Sequence, residues 1–125
     1  MRRVQRQTEN VLGLHIHGNV ASFAPLMEEI MIFSRQQKVT VIIDEFQRLA
    51  EISESIVSDI QAVWDRHQTA SHVHLIACGS IFNMMKRIFE DRHEPLFGRK
   101  TARIDLKPFS TKTLKEMIGL SLDDM

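Results

Sequence analysis

Val39-Thr40-Val41-Ile42-Ile43-Asp44-Glu45 is a continuous β-branched and aliphatic run that ends in two adjacent carboxylates. A strand with both faces covered reads this way, as in a parallel sheet flanked by helices. In such sheets ligands bind at the carboxyl ends of the strands. Asp44 and Glu45 therefore stand where chemistry is expected. In phosphoryl transfer a carboxylate at a strand end can hold Mg²⁺ for the phosphates, and a second carboxylate beside it can orient the attacking water. The plainer role for Asp44 is to cap the turn that follows.

Outward from this stretch the chain alternates. Residues 72–78 form a second buried run, and Leu75-Ile76-Ala77-Cys78 leads into Gly79-Ser80. Before the first run, Ser22 is placed to cap a helix reaching about Gln36, with Phe23, Leu26, Ile30 and Phe33 on one stripe and Pro25 in the first turn. Between the runs, Ser53 is placed to cap a helix to about His67, with Ile56, Ile60, Val63 and Trp64 inward. Gly79-Ser80 opens a third helix with Ile81, Met84, Met85, Ile88 and Phe89 inward, ended by Glu94-Pro95. Ala102, Ile104 and Leu106 alternate with Arg103, Asp105 and Lys107, which predicts a strand over 101–107 with one polar face. Pro108 stops it, and Ser110 or Thr111 caps a last helix carrying Leu114, Met117 and Ile118. Residues 11–17 read as a short first strand and residues 1–10 as a loose polar segment. The order of strand and helix, four times over, predicts an α/β protein with a parallel sheet.

Composition narrows the classes. The chain has 125 residues, enough for one small domain. Its 16 basic and 16 acidic residues cancel, so bulk charge gives no reason to expect nucleic acid or an acidic membrane. Arg2, Arg3 and Arg6 read as a solvated terminus. Lys86, Arg87, Arg92, Arg99, Lys100 and Arg103 form a basic stretch, most simply a solvated face, with a DNA-facing patch as the sharper reading. The single Cys78 excludes an internal disulfide, and its apolar surroundings predict a buried, inert thiol. No apolar run nears the roughly 20 residues of a membrane span, and the N-terminus lacks a signal-peptide core, so a cytoplasmic location is expected. His15-x-His17 and His72-x-His74 could each begin a zinc site, but no cysteine pair or nearby carboxylate completes either. The methionines read as core filler.

Four segments together resemble the archaeal and bacterial AAA-like ATPases of the P-loop superfamily. They are Val41-Ile42-Ile43-Asp44-Glu45-Phe46-Gln47, Leu75-Ile76-Ala77-Cys78-Gly79-Ser80, Pro95-Leu96-Phe97-Gly98-Arg99-Lys100-Thr101 and Leu106-Lys107-Pro108-Phe109-Ser110. The resemblance spans about residues 11–120. It implies that 39–45 is the Walker B strand, with Asp44 near Mg²⁺, through water, and Glu45 as the catalytic base. It implies that Ser80 is the sensor on the neighbouring strand, where its plainer role is a helix N-cap. Arg99 becomes a candidate arginine finger, since a fixed guanidinium can neutralise charge on the transferred phosphoryl. ATP and Mg²⁺ are the implied ligands, and the parent protein would act on DNA or another protein.

The family's phosphate loop, G-x-x-x-x-G-K-[ST], is not in this chain. Gly13-Leu14-His15-Ile16-His17-Gly18-Asn19-Val20 has the glycine spacing, but Asn19 and Val20 stand where Lys and Ser/Thr belong. The resulting expectation is a partial P-loop parallel sheet with helices on both faces, missing the phosphate-loop strand, as in a truncated protein or fragment. Residues 11–107 would be the partial ATPase domain and 108–125 the start of a helical lid. The resemblance places the missing strand between 72–78 and 101–107. Those two strands must then close on each other, exchange with another copy, or stay poorly formed. Weak or no ATP binding by the chain alone is expected. The rival reading is a non-catalytic interaction or dimerisation module in which Asp44 and Glu45 are structural.

Overall fold

The computed structural model describes residues 1–119. In chain order the elements are α1 (Arg2–Leu12), α2 (Phe23–Phe33), β1 (Val39–Ile43), α3 (Gln47–Ile52), α4 (Glu54–His67), β2 (Val73–Ala77), α5 (Phe82–Glu90) and α6 (Thr111–Met117). The protein is α/β, with a two-stranded parallel sheet. β1 and β2 pair in register from Val39 opposite Val73 to Ile43 opposite Ala77.

Both core strands and the helices α2, α4, α5 and α6 lie where the periodicity puts them. Ser53 accepts from the Ser55 N–H at the start of α4, and Ser110 accepts from the Thr113 N–H at the start of α6. Ser22 precedes α2 in extended conformation, but its side chain makes no capping bond.

Three hydrophobic clusters hold the fold, and all use one face of the sheet. Leu26 and Ile30 of α2 pack with Ile16 and Val39. Ala24, Met27 and Met31 pack with Val63 of α4, against Val73 and Leu75. Phe46, Val57, Ile60, Ile88 and Leu96 form the third cluster, against Ile43 and Ala77. The strand residues involved are 39, 41, 43, 73, 75 and 77, which alternation puts on a single side. Helices on both faces were expected; among the described residues the other face is uncovered. Thr40 and His74 are exposed there, and Ile42 is 65% exposed. Cys78, expected to be buried, is exposed too. The cause is the short sheet: crossover helices cover a face only where further strands call for further crossovers.

A buried polar cluster joins α2 to α4. His67 is 6% exposed. A guanidinium can only donate, so the contact of Arg35 Nη2 with His67 Nδ1, at 3.0 Å, makes Nδ1 the acceptor. Nε2 then carries the proton and donates to Glu28 Oε1 at 2.7 Å, and Arg66 reaches the same oxygen at 2.6 Å.

The ends of the chain depart most from expectation. Of residues 1–10, expected to be loose, all but Met1 lie in α1, and 11–17 form no strand. Arginine, glutamine and glutamate are good helix formers. The anchor is polar: Gln5, 5% exposed, donates to the Gly18 carbonyl at 2.7 Å and accepts from the Val20 N–H at 3.0 Å. Gly13 ends the helix at φ 67°, a conformation that glycine adopts without strain. At the other end, residues 101–107 form no strand. Ile104 and Leu106 are 85% and 93% exposed, and among the described residues no further strand is present to pair with them. Within the single chain the segment neither closes on β2 nor forms a strand. α6 follows with no buried residue. Among the described residues no helix is long and apolar enough to cross a membrane.

Candidate functional site

The site is built where β1 and β2 end. The ladder continues past the strands: the Cys78 N–H donates to the Ile43 carbonyl, and the Phe46 N–H to the Cys78 carbonyl, each at 2.8 Å. Phe46, 1% exposed, is seated in the core with its ring 5.4 Å from that of Phe89. Between these fixed points the chain must turn within Asp44 and Glu45. Glu45 absorbs the turn with φ 51°, the left-handed region that non-glycine residues seldom occupy. Such backbone strain is kept where the surroundings over-determine it, and it gathers at functional sites.

That turn brings the Glu45 carboxylate to β2. Ser80 Oγ donates to Glu45 Oε2 at 2.9 Å. The Gln47 amide donates to the same oxygen. The Ser80 hydroxyl, and after it the Gln47 amide, hold the Glu45 carboxyl below its ordinary range by stabilising the anion. Ser80 does not cap α5; the N-cap position belongs to Ile81, and the helix begins at Phe82. The hydroxyl is left to serve Glu45. Asp44 is exposed, and its Oδ1 accepts the N–H of its immediate neighbour Glu45 at 2.9 Å.

Gln47 belongs to the site and carried no assigned role in the sequence. It is 1% exposed, and its Oε1 has no hydrogen-bond partner among the described residues. A buried amide with half its capacity unmet is costly, so the position is built around its bond to Glu45. Gly79 makes room for it. A Cβ there would collide with Gln47 Oε1 and lie 2.5 Å from Cγ and Sδ of Met85. The signal was a glutamine three residues after the aspartate, at a position that becomes buried only once α3 folds back under the strand ends.

Arg99 is not brought to this cluster. Its Nε and Nη2 grip both carboxylate oxygens of Asp65 on α4, at 2.9 and 2.7 Å. The rest of the basic stretch is also largely paired: Arg87 with Glu94, Lys100 with Glu90, and Arg103 with Glu90 and Asp105. Arg103 also lies 5.1 Å over the Phe82 ring. The segment after Leu96 is thus fastened to α4 and α5 by charge. The spaced glycines Gly13 and Gly18 do not border the acidic pair either: Ile16 between them packs on Val39, at the opening of β1. Among the described residues no three His, Cys, Asp or Glu side chains gather as a metal site. His15 and His17 sit in a loop with their rings 5.1 Å apart, and His72 bonds the Ser34 carbonyl.

No protein-family model matches the chain, and no solved structure matches it. It is similar to two uncharacterized proteins of Methanocaldococcus jannaschii. One is 37% identical over 76 residues, covering 61% of this chain and 17% of that protein. The other is 36% identical over 63 residues, covering 50% of this chain and 57% of that protein. The chain therefore spans less than two thirds of either relative.

Proposed function

We propose that this chain is the Walker B to arginine region of an AAA-like P-loop ATPase domain, a partial parallel sheet lacking the phosphate-loop strand, and weak or inactive in ATP binding on its own. The observation that carries this reading is the Ser80–Glu45 hydrogen bond. Two adjacent parallel strands each end in a polar group, and the two groups meet at one carboxylate oxygen. Glu45 would orient the attacking water, Ser80 would position Glu45, and Asp44 would face the metal. Mg²⁺ usually takes one or two protein carboxylates and fills its shell with water and phosphate oxygens. A single exposed Asp44 beside Glu45 fits that habit. The ion would supply charge neutralisation on the phosphates. Arg99, fixed by Asp65, would act on a neighbouring copy. A cytoplasmic setting and a DNA or protein client belong to the same reading.

The test has two arms. Equilibrium binding of labelled ATP with Mg²⁺ to this chain should show no micromolar affinity. In a longer chain carrying a glycine-rich loop with Lys-Ser/Thr upstream, Glu45→Gln should abolish turnover while leaving ATP bound. Unchanged turnover would remove Glu45 from catalysis.

The second reading, a non-catalytic interaction or dimerisation module, is favoured by the uncovered apolar side chains Ile42, Ile104 and Leu106. Exposed apolar surface of this kind marks association sites. Under that reading Glu45→Gln leaves every property of the longer chain intact except local stability.

A further inference from the structure

Away from the acidic pair, α1 and the loop behind it border an open cleft of about 390 Å³. Arg2 and Arg6 lie one helical turn apart on its α1 side, while His15, His17 and Asn19 line the loop side. Its walls are fixed from both ends. Gln5 clamps Gly18 and Val20, and Glu9 Oε1 accepts the Ile16 N–H at 2.8 Å. Gly18, at φ 86°, turns the loop back over the helix.

The charge is unbalanced. Arg66, Arg87, Arg99 and Arg103 each have a carboxylate within 4.0 Å; among the described residues Arg2 and Arg6 have none, as is also true of Arg3, Arg35, Arg48 and Arg92, but only Arg2 and Arg6 line this cleft. The one acid in the lining, Glu9, is engaged by the Ile16 N–H and lies 3.7 Å from His15 Nδ1. Two guanidiniums offer forked N–H donors suited to phosphate oxygens, and an imidazole can donate an N–H to the same group.

We propose that this cleft binds a compact phosphate-bearing anion, of the size and charge of pyrophosphate or a phosphate monoester. The site is separate from Asp44 and Glu45, and it does not depend on their role.

The test is titration of the ¹⁵N-labelled chain with inorganic pyrophosphate in low-salt buffer, followed by amide shifts and calorimetry. The expected result is saturable binding with shifts concentrated in residues 2–19. Arg2→Ala with Arg6→Ala should weaken it by about tenfold or more, since charge-assisted bonds are the strong ones. Glu45→Gln should leave it unchanged. Both arginines are exposed, and circular dichroism checks that α1 survives the double substitution. Absence of saturation at roughly 10 mM would overturn the proposal. So would equal affinity of the double variant, or shifts scattered over the chain. Binding to duplex DNA with a steep salt dependence and none to pyrophosphate would likewise overturn it, in favour of a nucleic-acid surface.

Discussion

Ser80 Oγ donates to Glu45 Oε2 across 2.9 Å, tying together the ends of two strands through residues 35 positions apart in sequence. The bond crosses the seam of the parallel pair and sits beside Gln47, whose Oε1 has no partner among the described residues. Its first consequence is electrostatic. Ser80→Ala should raise the Glu45 pKa toward its ordinary value of 4.5, because the hydroxyl is the largest cause of its depression. A group depressed in the folded state adds stability above its unfolded pKa and loses it as pH falls through the folded value. The wild-type protein should therefore lose part of its stability between pH 4.5 and the lower folded pKa, and Ser80→Ala should lose less there. Carboxyl ¹³C titration of Glu45 reads the shift, and an unchanged midpoint would remove the bond from solution.

Gly79→Ala should destabilise the protein by about 1–3 kcal/mol, the usual cost of forcing extra atoms into filled space. The added methyl meets Gln47 Oε1 and the Met85 thioether. Denaturant unfolding measures the loss, and the Gln47 side-chain amide resonances should move with it. A neutral substitution would mean that Gln47 does not occupy the space beside Gly79.

His67→Ala should cost about 1–3 kcal/mol by leaving Arg35 and Glu28 without their shared partner at the α2–α4 contact. It should also raise the Glu28 pKa toward 4.5, since the His67 bond is the first cause of its lowering. Glu28 is a depressed carboxyl, so its contribution is present above pH 4.5 and fades as acid reaches the folded value. Acid unfolding curves of wild type and variant should converge at low pH.

The Arg99–Asp65 pair should contribute little to folding. Their side chains are 29% and 39% exposed, and such pairs give about 0.2–1 kcal/mol even with good geometry. A double-mutant cycle with Arg99→Ala and Asp65→Ala should return a coupling in that range, fading in roughly 1 M salt. A larger coupling would assign Arg99 to architecture.

Ile104→Asp with Leu106→Asp should reduce self-association measured by sedimentation. Both side chains are exposed on an alternating segment that has no strand partner among the described residues, and segments of this kind invite pairing between copies. Equal sedimentation of variant and wild type would place association elsewhere.

The sequence alone determined the parallel pair and the helices packed on it. A β-branched run at 39–43, a second apolar run at 72–78 and apolar stripes at helical spacing state their partners directly, because burial of apolar surface is local in pattern and repeats along the chain. It also marked Asp44, Glu45 and Ser80 by their places after the strands. What it could not carry was any contact made by polar groups at long range. Gln5 reaching Gly18 and Val20 makes α1 a packed helix, and nothing in a polar decapeptide announces that. Gln47 becomes part of the site only because Gly79, 32 positions later, leaves space for it. Residues 101–107 have a strand's alternation without a neighbouring strand among the described residues, and a strand exists only when another backbone satisfies its N–H and C=O groups. Tertiary structure decided these points, since hydrogen-bond partners are chosen in space and their pattern leaves no period in the sequence.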